Sequence, residues 1–203
     1  MSKIKLTKGE LKRQRDSLDQ FLHYLPTLQL KKQQLQMKIV EARKLREEKK
    51  VILDREIETI ARWAGLLTEP VGDLRAWVTP QRIEVEMMNI AGANVPIFKE
   101  IYFQPAEYDF YSTPMWLDRA IEELRQMVTS LAEISIIEKR IDVLQHELRI
   151  TTQRVNLFEK IKIPECLENI RAIRIYLGDQ QANAVGVSKV AKKKIIEAEM
   201  VTA

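Results

Sequence analysis

The chain has 203 residues, 45% of them hydrophobic and 31% charged, with six glycines, seven prolines and one cysteine. That Leu, Lys, Glu and Arg-rich profile belongs to long helices and argues against a β-sandwich or an α/β enzyme. A net charge of +4 is mild and gives no reason to expect nucleic-acid binding unless it is concentrated.

Cys166 stands alone, so there is no internal disulfide framework, which fits a reducing compartment. The N-terminus (Met1, Ser2, Lys3, Ile4, Lys5) runs straight into charged helical sequence, without the apolar run of a signal peptide. No segment is long and apolar enough to span a bilayer. A soluble or peripheral protein is expected, with no direct membrane insertion.

Thr7 with Glu10 three residues later is a capping-box pattern, which predicts a helix from about Lys8. Written as heptads, Leu11, Leu18, Leu25, Ile39, Leu53, Ile60 and Leu67 fall on one core column and Phe21, Leu28, Leu35, Ala42 and Trp63 on the other. Gln14, Lys32, Arg46, Lys49 and Glu56 interrupt these columns. They read either as register marks or openings to a third partner, or as long stems reaching past the seam. Pro26 lacks an amide donor and should bend the helix near Tyr24 without ending it.

Helical periodicity stops after Leu67, where Thr68, Glu69, Pro70, Val71, Gly72 and Asp73 signal a turn. Arg82 to Met87 alternates as a half-buried strand does, and Val95 to Phe103 is a second β-rich run. Ala91, Gly92, Ala93 and Asn94 supply the turn of a hairpin. Gln104 to Thr113 is a loop containing Tyr108, Phe110 and Tyr111, and Thr113 with Pro114 predicts the cap and first turn of the next helix. A lone hairpin is barely stable in water, so it must pack on the helices. Trp77, Phe98, Tyr102, Phe103 and Trp116 are the expected contacts.

From Leu117 the apolar residues Ile121, Leu124, Val128, Leu131, Ile134, Ile137, Ile141, Leu144, Leu148, Thr151, Val155 and Phe158 recur at gaps of three or four. Helical sequence continues to about Leu177. The stripe is too narrow for a globular core and wants one partner helix; sixty such residues reach roughly 90 Å. Successive gaps of three near Leu131, Ile134 and Ile137 predict local overwinding. Pro164 should interrupt the helix.

The two helical stretches flank a small insertion, so if they pair they must run antiparallel, with facing residue numbers summing to about 184. The predicted fold is mainly α: a long antiparallel two-helix coiled coil formed by N- and C-terminal helices, with a β-hairpin-containing insertion. The boundaries are 1–67, 68–114 and 115–203, within one structural unit. Residues after roughly Asn183 then have no partner, should project as a single helix beyond the pair, and should fray unless something surrounds them. Lys189, Lys192, Lys193 and Lys194 there join Lys3, Lys5, Lys8, Lys12, Arg13 and Arg15 as the most basic end of the molecule.

No chemistry emerges from the motifs. Gly178 to Gly186 lacks the Lys-Ser/Thr ending of a phosphate loop. His23 and His146 lie on opposite helices at different levels and cannot share a metal. Neighbouring carboxylates such as Glu122 and Glu123 point in different directions. No catalytic, metal or cofactor residue is expected.

The segment Gln153, Arg154, Val155, Asn156, Leu157, Phe158, Glu159, followed by Ile163 and Pro164, resembles the Arg-Arg-Val-Asn-x-Leu-Glu…Ile-Pro run of the D subunit of V-type and archaeal-type (A/V) rotary ATPases. Lys31, Lys32, Gln33, Gln34 and Leu35 stand where that family has a Lys-rich segment ending in Leu. The order of helix, β insertion and helix agrees over nearly the whole chain. Gln153 and Phe158 depart from the pattern, as does Gly178 to Gln181, where the family is acidic.

The resemblance implies a non-catalytic central rotor shaft (the central stalk) on the cytoplasmic face of a membrane, without cofactor. Its implied partners are the catalytic A and B subunits, the F subunit and the subunit capping the membrane ring. Candidate partner-binding residues are Lys8, Lys12, Arg15, Lys189, Lys192 and Lys193 at the basic end, Tyr102 and Phe103 on the hairpin, and Arg154, Asn156 and Pro164 in the motif. The rival expectations are a stand-alone coiled-coil adaptor and, behind it, a nucleic-acid-binding coiled coil, although the basic end lacks the interleaved aromatics of a strand binder.

Overall fold

A computed structural model describes residues 4–69, 72–109, 111 and 113–202. Lys3, Pro70, Val71 and Phe110 lie outside the described residues. The elements are α1 (Lys8–Ala61), a 3₁₀ turn (Ala64–Thr68), α2 (Leu74–Val78), β1 (Pro80–Ile90), β2 (Ala93–Phe103), α3 (Leu117–Leu157), a π-helical turn (Phe158–Lys162) and α4 (Ile163–Thr202). The chain is mainly α, with one antiparallel hairpin between long helices. It divides into two compact units, Met1–Leu30 with Thr152–Ala203, and Lys31–Thr151.

In the Lys31–Thr151 unit the expected seam forms. Leu35, Ile39, Ala42, Leu53 and Ile60 of α1 are buried, as are Leu117, Ile121, Ile137, Ile141 and Leu144 of α3. The direction is antiparallel: Ala42 clusters with Ile137 and Ile141, and Trp63 donates its indole N–H to Glu123 at 2.7 Å. Lys49, an interruption of the heptad, forms an ion pair with Glu133 across the two helices. These pairings fit facing numbers near 184.

The seam departs from expectation at Leu131, which is 45% exposed, while the adjacent Ser130 is buried. The successive gaps of three turn Leu131 away from the partner helix and bring the smaller side chain in.

The hairpin has longer strands than the alternation predicts. Asn89 pairs with Asn94 and Ile90 with Ala93, closed by Ala91 (φ 51°) and Gly92 (φ 80°). Two consecutive positive φ values make the primed turn whose twist matches the strands. Ala91 bears a left-handed strain of about 1 kcal/mol, offset in part by the Gly92 N–H donating to Asn89 Oδ1 at 3.0 Å.

The aromatics do not form the main hairpin anchor. Ile90, Ala93 and Val95, at the turn end, are buried against Leu35, Ile39 and Leu144. Tyr102 instead faces solvent and donates its hydroxyl to Glu100 at 2.7 Å.

At the open end of the hairpin, Arg125 of α3 gathers two segments, α2 and the end of β2. Its Nε donates to the carbonyl of Trp77 at 3.0 Å and its terminal nitrogen to that of Gln104. Its guanidinium lies 5.3 Å from the centre of the Phe103 ring. Asp73 caps α2 by accepting from the Ala76 N–H at 3.1 Å. Thr113 is not the cap of α3: its hydroxyl donates back to the Asp109 carbonyl at 2.8 Å, and the helix begins at Leu117 after a turn in which the Leu117 N–H reaches Pro114 O.

In the unit built from both chain ends, Thr7 Oγ1 accepts the Glu10 N–H at 3.3 Å, so α1 is capped as expected. The reciprocal half of the box is missing, because Glu10 accepts from Gln14 instead. Pro26 lies within an unbroken helix. Leu11, Leu18, Phe21, Leu25 and Leu28 are half-buried, and Val155, Cys166, Ile170 and Ile173 are buried. Phe21 stacks tilted on Phe158 with ring centres 5.0 Å apart, and Asn169 Nδ2 donates to Gln14 Oε1 at 3.4 Å. Here too the pairing is antiparallel.

The interruption expected from Pro164 takes the form of a π turn just before it, in which the Ile163 N–H reaches back five residues to Phe158 O. Proline has no N–H for the Lys160 carbonyl and its ring collides with that carbonyl in a regular helix; the wider turn relieves the collision. It also corrects the seam. A heptad continued from Val155 and Phe158 next expects Lys162, Glu165, Asn169 and Ala172, whereas burial falls on Cys166, Ile170 and Ile173. One extra residue must be taken up if the left-handed wrap is kept, and a π turn adds one residue.

From Gly178 to Glu197 every residue is exposed, so the unpartnered stretch starts somewhat earlier than Asn183. The single helix expected there runs to Thr202. Ala182, Ala184 and Ala191 favour it intrinsically, and Lys193 pairs with Glu197 one turn on.

Candidate partner-binding surfaces

The sequence-derived candidates lie on the surface, and most stand apart from a pocket. Lys8, Lys12 and Arg15 are exposed along the first turns of α1, and Lys189, Lys192 and Lys193 along the unpartnered end of α4. Arg154 and Asn156 are exposed on either side of the buried Val155, and Pro164 is exposed after the π turn. The motif thus consists of one seam residue between two outward polar ones, a helix-surface pattern and not a pocket. Phe103 is half-buried under Arg125; Tyr102 is free of the core, and the adjacent Glu100 carboxylate pushes its phenol pKa up.

His23 and His146 are both exposed, and among the described residues no three His, Cys, Asp or Glu side chains come close enough to hold a metal ion. Burial pushes the Cys166 thiol up, away from the thiolate needed of a nucleophile. Among the described residues, the Glu123 carboxylate is held low first by Arg119 (2.8 Å) and then by the Trp63 indole, against the opposing effect of burial. It ties helix to helix. No helix is long and apolar enough to cross a membrane among the described residues.

The surface does offer area for other proteins. On the hairpin, Ile83, Val85 and Met87 are 41%, 43% and 63% exposed. At the chain ends, an apolar groove between α1 and α4 is lined by Leu18, Leu22, Leu167 and Ile175 and flanked by Arg15, Arg171 and Arg174. Of these the sequence singles out Arg15, as a partner-binding candidate, and Leu18, as a column residue. Leu22, Leu167 and Ile175 fall beside the heptad columns, and only the antiparallel pairing of the two helices puts them on one strip.

Long paired helices recur in many proteins, so the family decides. The family model for the ATP synthase D subunit matches residues 10–193. The chain belongs to the ATP synthase D-subunit family. Among its relatives, the V-type ATP synthase D subunit of Borreliella burgdorferi is 45% identical over 197 residues, covering 97% of each chain. That of Chlamydia pneumoniae is 35% identical over 95% of this chain and 93% of its own, and that of Chlamydia trachomatis 34% identical over 96% and 97%. The match with the D-subunit family runs through the hairpin as well as both helices. Helices and insertion therefore belong to one inherited design.

Proposed function

We propose that this chain is the central rotor shaft of a V/A-type proton- or sodium-translocating ATPase or ATP synthase, passing torque between the membrane ring and the catalytic A/B hexamer. It performs no catalysis itself. Its partners are the A and B subunits, the F subunit and the subunit capping the membrane ring, on the cytoplasmic face of the membrane; it binds no nucleic acid. Residues 1–67, 68–114 and 115–203 act as one mechanical part.

The observation that carries this reading is the antiparallel pairing of N- and C-terminal helical segments within each unit, in a member of the D-subunit family. Paired helices resist bending and twisting, as a torque-bearing element must. A shaft whose sides differ meets three equivalent catalytic interfaces unequally, so turning it shifts their nucleotide affinities in sequence, which is coupling by differential contact. Lys8, Lys12, Arg15, Arg154, Asn156, Pro164, Lys189, Lys192 and Lys193 are the contacts on this reading, with Tyr102 and Phe103 serving at the hairpin.

The test is purification from native membranes, then single-molecule rotation. Tyr111 is fully exposed, so Tyr111→Cys offers a site for a bead. ATP-driven stepping of that bead supports the shaft. A motor that assembles and turns without this chain refutes it, and isolation of the chain with unrelated proteins favours an adaptor.

A further inference from the structure

We propose that the hairpin is a strap on the side of the paired helices: its turn end lifts away while α1 and α3 stay together, and Lys31 is the catch that holds it down. The hairpin is fastened unevenly. Of β1 only Ile90 is buried, and of β2 only Ala93 and Val95, all beside the turn. These three side chains sit on Leu35 and Ile39 of α1 and Leu144 of α3. At the opposite end Arg125 grips the carbonyls of Trp77 and Gln104, on either side of the two strands. The strap therefore has a hinge at Arg125 and one small apolar seat at its tip.

Lys31 lies over that tip. A Cβ at Gly92 would come within 3.3 Å of the Lys31 ammonium nitrogen, so the ammonium rests beside turn backbone that glycine leaves bare. Lys31 is half-buried and forms no ion pair among the described residues. An ammonium without a carboxylate is a free donor next to a turn whose carbonyls are acceptors, and a charge-assisted contact there outweighs a neutral one. Lys31, Leu35 and Ile39 are four residues apart, which sets them on one face of α1. The Lys-rich segment ending in Leu35 thus supplies the catch and part of the seat. The turn is closed on itself, Asn89 accepting from the Gly92 N–H at 3.0 Å and donating to Asn94 at 2.8 Å, so the tip moves as one piece. The helices have fastenings of their own in Ala42 with Ile137 and Ile141, Lys49 with Glu133, and Trp63 with Glu123. None of these involves the hairpin, and local opening takes the part with the fewest buried contacts.

Hydrogen exchange of the full chain, read by mass spectrometry on residues 82–102 and on the helical segments 42–60 and 121–141, tests both parts. The hairpin amides should exchange at least about tenfold faster than the helical ones. Their exchange should also depend less steeply on urea, because lifting the strap exposes less surface than unfolding the chain. Lys31→Met keeps the stem and removes the charge, so hairpin exchange should quicken about tenfold while helical exchange stays as it is. Lys31→Arg, which retains the charge, should restore most of the protection. A thiol in the seat gives a second reading: in Cys166→Ser/Val95→Cys, maleimide labelling should follow hairpin exchange and quicken in the same way with Lys31→Met. Circular dichroism checks the fold of each variant. Hairpin and helical amides that exchange together, with one urea dependence, overturn the strap. Unchanged exchange in Lys31→Met, or equal quickening in the helices, overturns the catch.

Discussion

Deleting Lys160 while replacing Pro164 by Ala is the most direct test of the π turn. Burial at Cys166, Ile170 and Ile173 lies one residue later than the heptad from Val155 and Phe158 requires, and the π turn absorbs the difference. Removing one residue lets the turn close to regular α-helix, and removing the proline lifts the obstacle to doing so. The three side chains keep their seats, so the loss should be under about 1 kcal/mol. Deleting Lys160 alone leaves Pro164 inside a regular helix, at a cost of about 3 kcal/mol or more. Deleting Ser135 has no such absorber. It turns the following Ile136, Ile137, Ile141 and Leu144 by about 100°, and at roughly 1.5–3 kcal/mol each the loss exceeds about 6 kcal/mol, comparable to the stability of a domain. Urea unfolding of the three full-length variants, monitored by circular dichroism, measures the order. If the paired change at Lys160 and Pro164 costs as much as the Ser135 deletion, the accounting of the extra residue is wrong.

Leu144 is fully buried among Leu35, Ile39 and the turn end of the hairpin, so Leu144→Ala should lose about 3–4 kcal/mol and sensitise the hairpin to proteolysis; a loss below about 1 kcal/mol in urea titration contradicts that packing. Arg125→Lys keeps the charge but gives up the fork that reaches two carbonyls and the Phe103 face. It should cost about 1–3 kcal/mol, with faster amide exchange around Trp77 and Gln104, whereas unchanged exchange argues against the hub. Glu123 has its carboxyl held below the usual carboxylate range by Arg119 and Trp63. Its contribution is therefore complete above that range and is lost as pH falls through the lowered value. Glu123→Gln should flatten that part of the acid stability profile, and an unaltered profile means the carboxylate has no such role.

Much of the fold is legible in the sequence because helical periodicity is redundant. The buried residues Leu35, Ile39, Ala42, Leu53 and Ile60, and Leu117, Ile121, Ile137, Ile141 and Leu144, lie on the predicted columns, since each column repeats its message many times. The readings that fail rest on single residues. Leu131 is apolar and correctly spaced, yet the neighbouring Ser130 is the one buried. Thr113 and Pro114 have cap chemistry, but the Asp109 carbonyl competes for the hydroxyl. Arg125 carries no mark of its role because a hub of backbone carbonyls is made by distant segments. Among the candidate surfaces, the basic residues can be picked out from the sequence, whereas the groove cannot. Its floor exists only where Leu22 and Leu167, far apart in the chain, line one strip.

The composition of the two units has a consequence for how the chain is made. Lys31–Thr151 is contiguous and can assemble as it leaves the ribosome, but Met1–Leu30 must wait for the residues from Thr152 onward. At roughly 5–20 residues per second, the delay lasts several seconds to tens of seconds. Throughout it Leu11, Leu18, Phe21, Leu25 and Leu28 are nascent apolar surface with nothing to cover it, so a segment translated early is among the last to be sheltered and is the natural place for a chaperone to hold on.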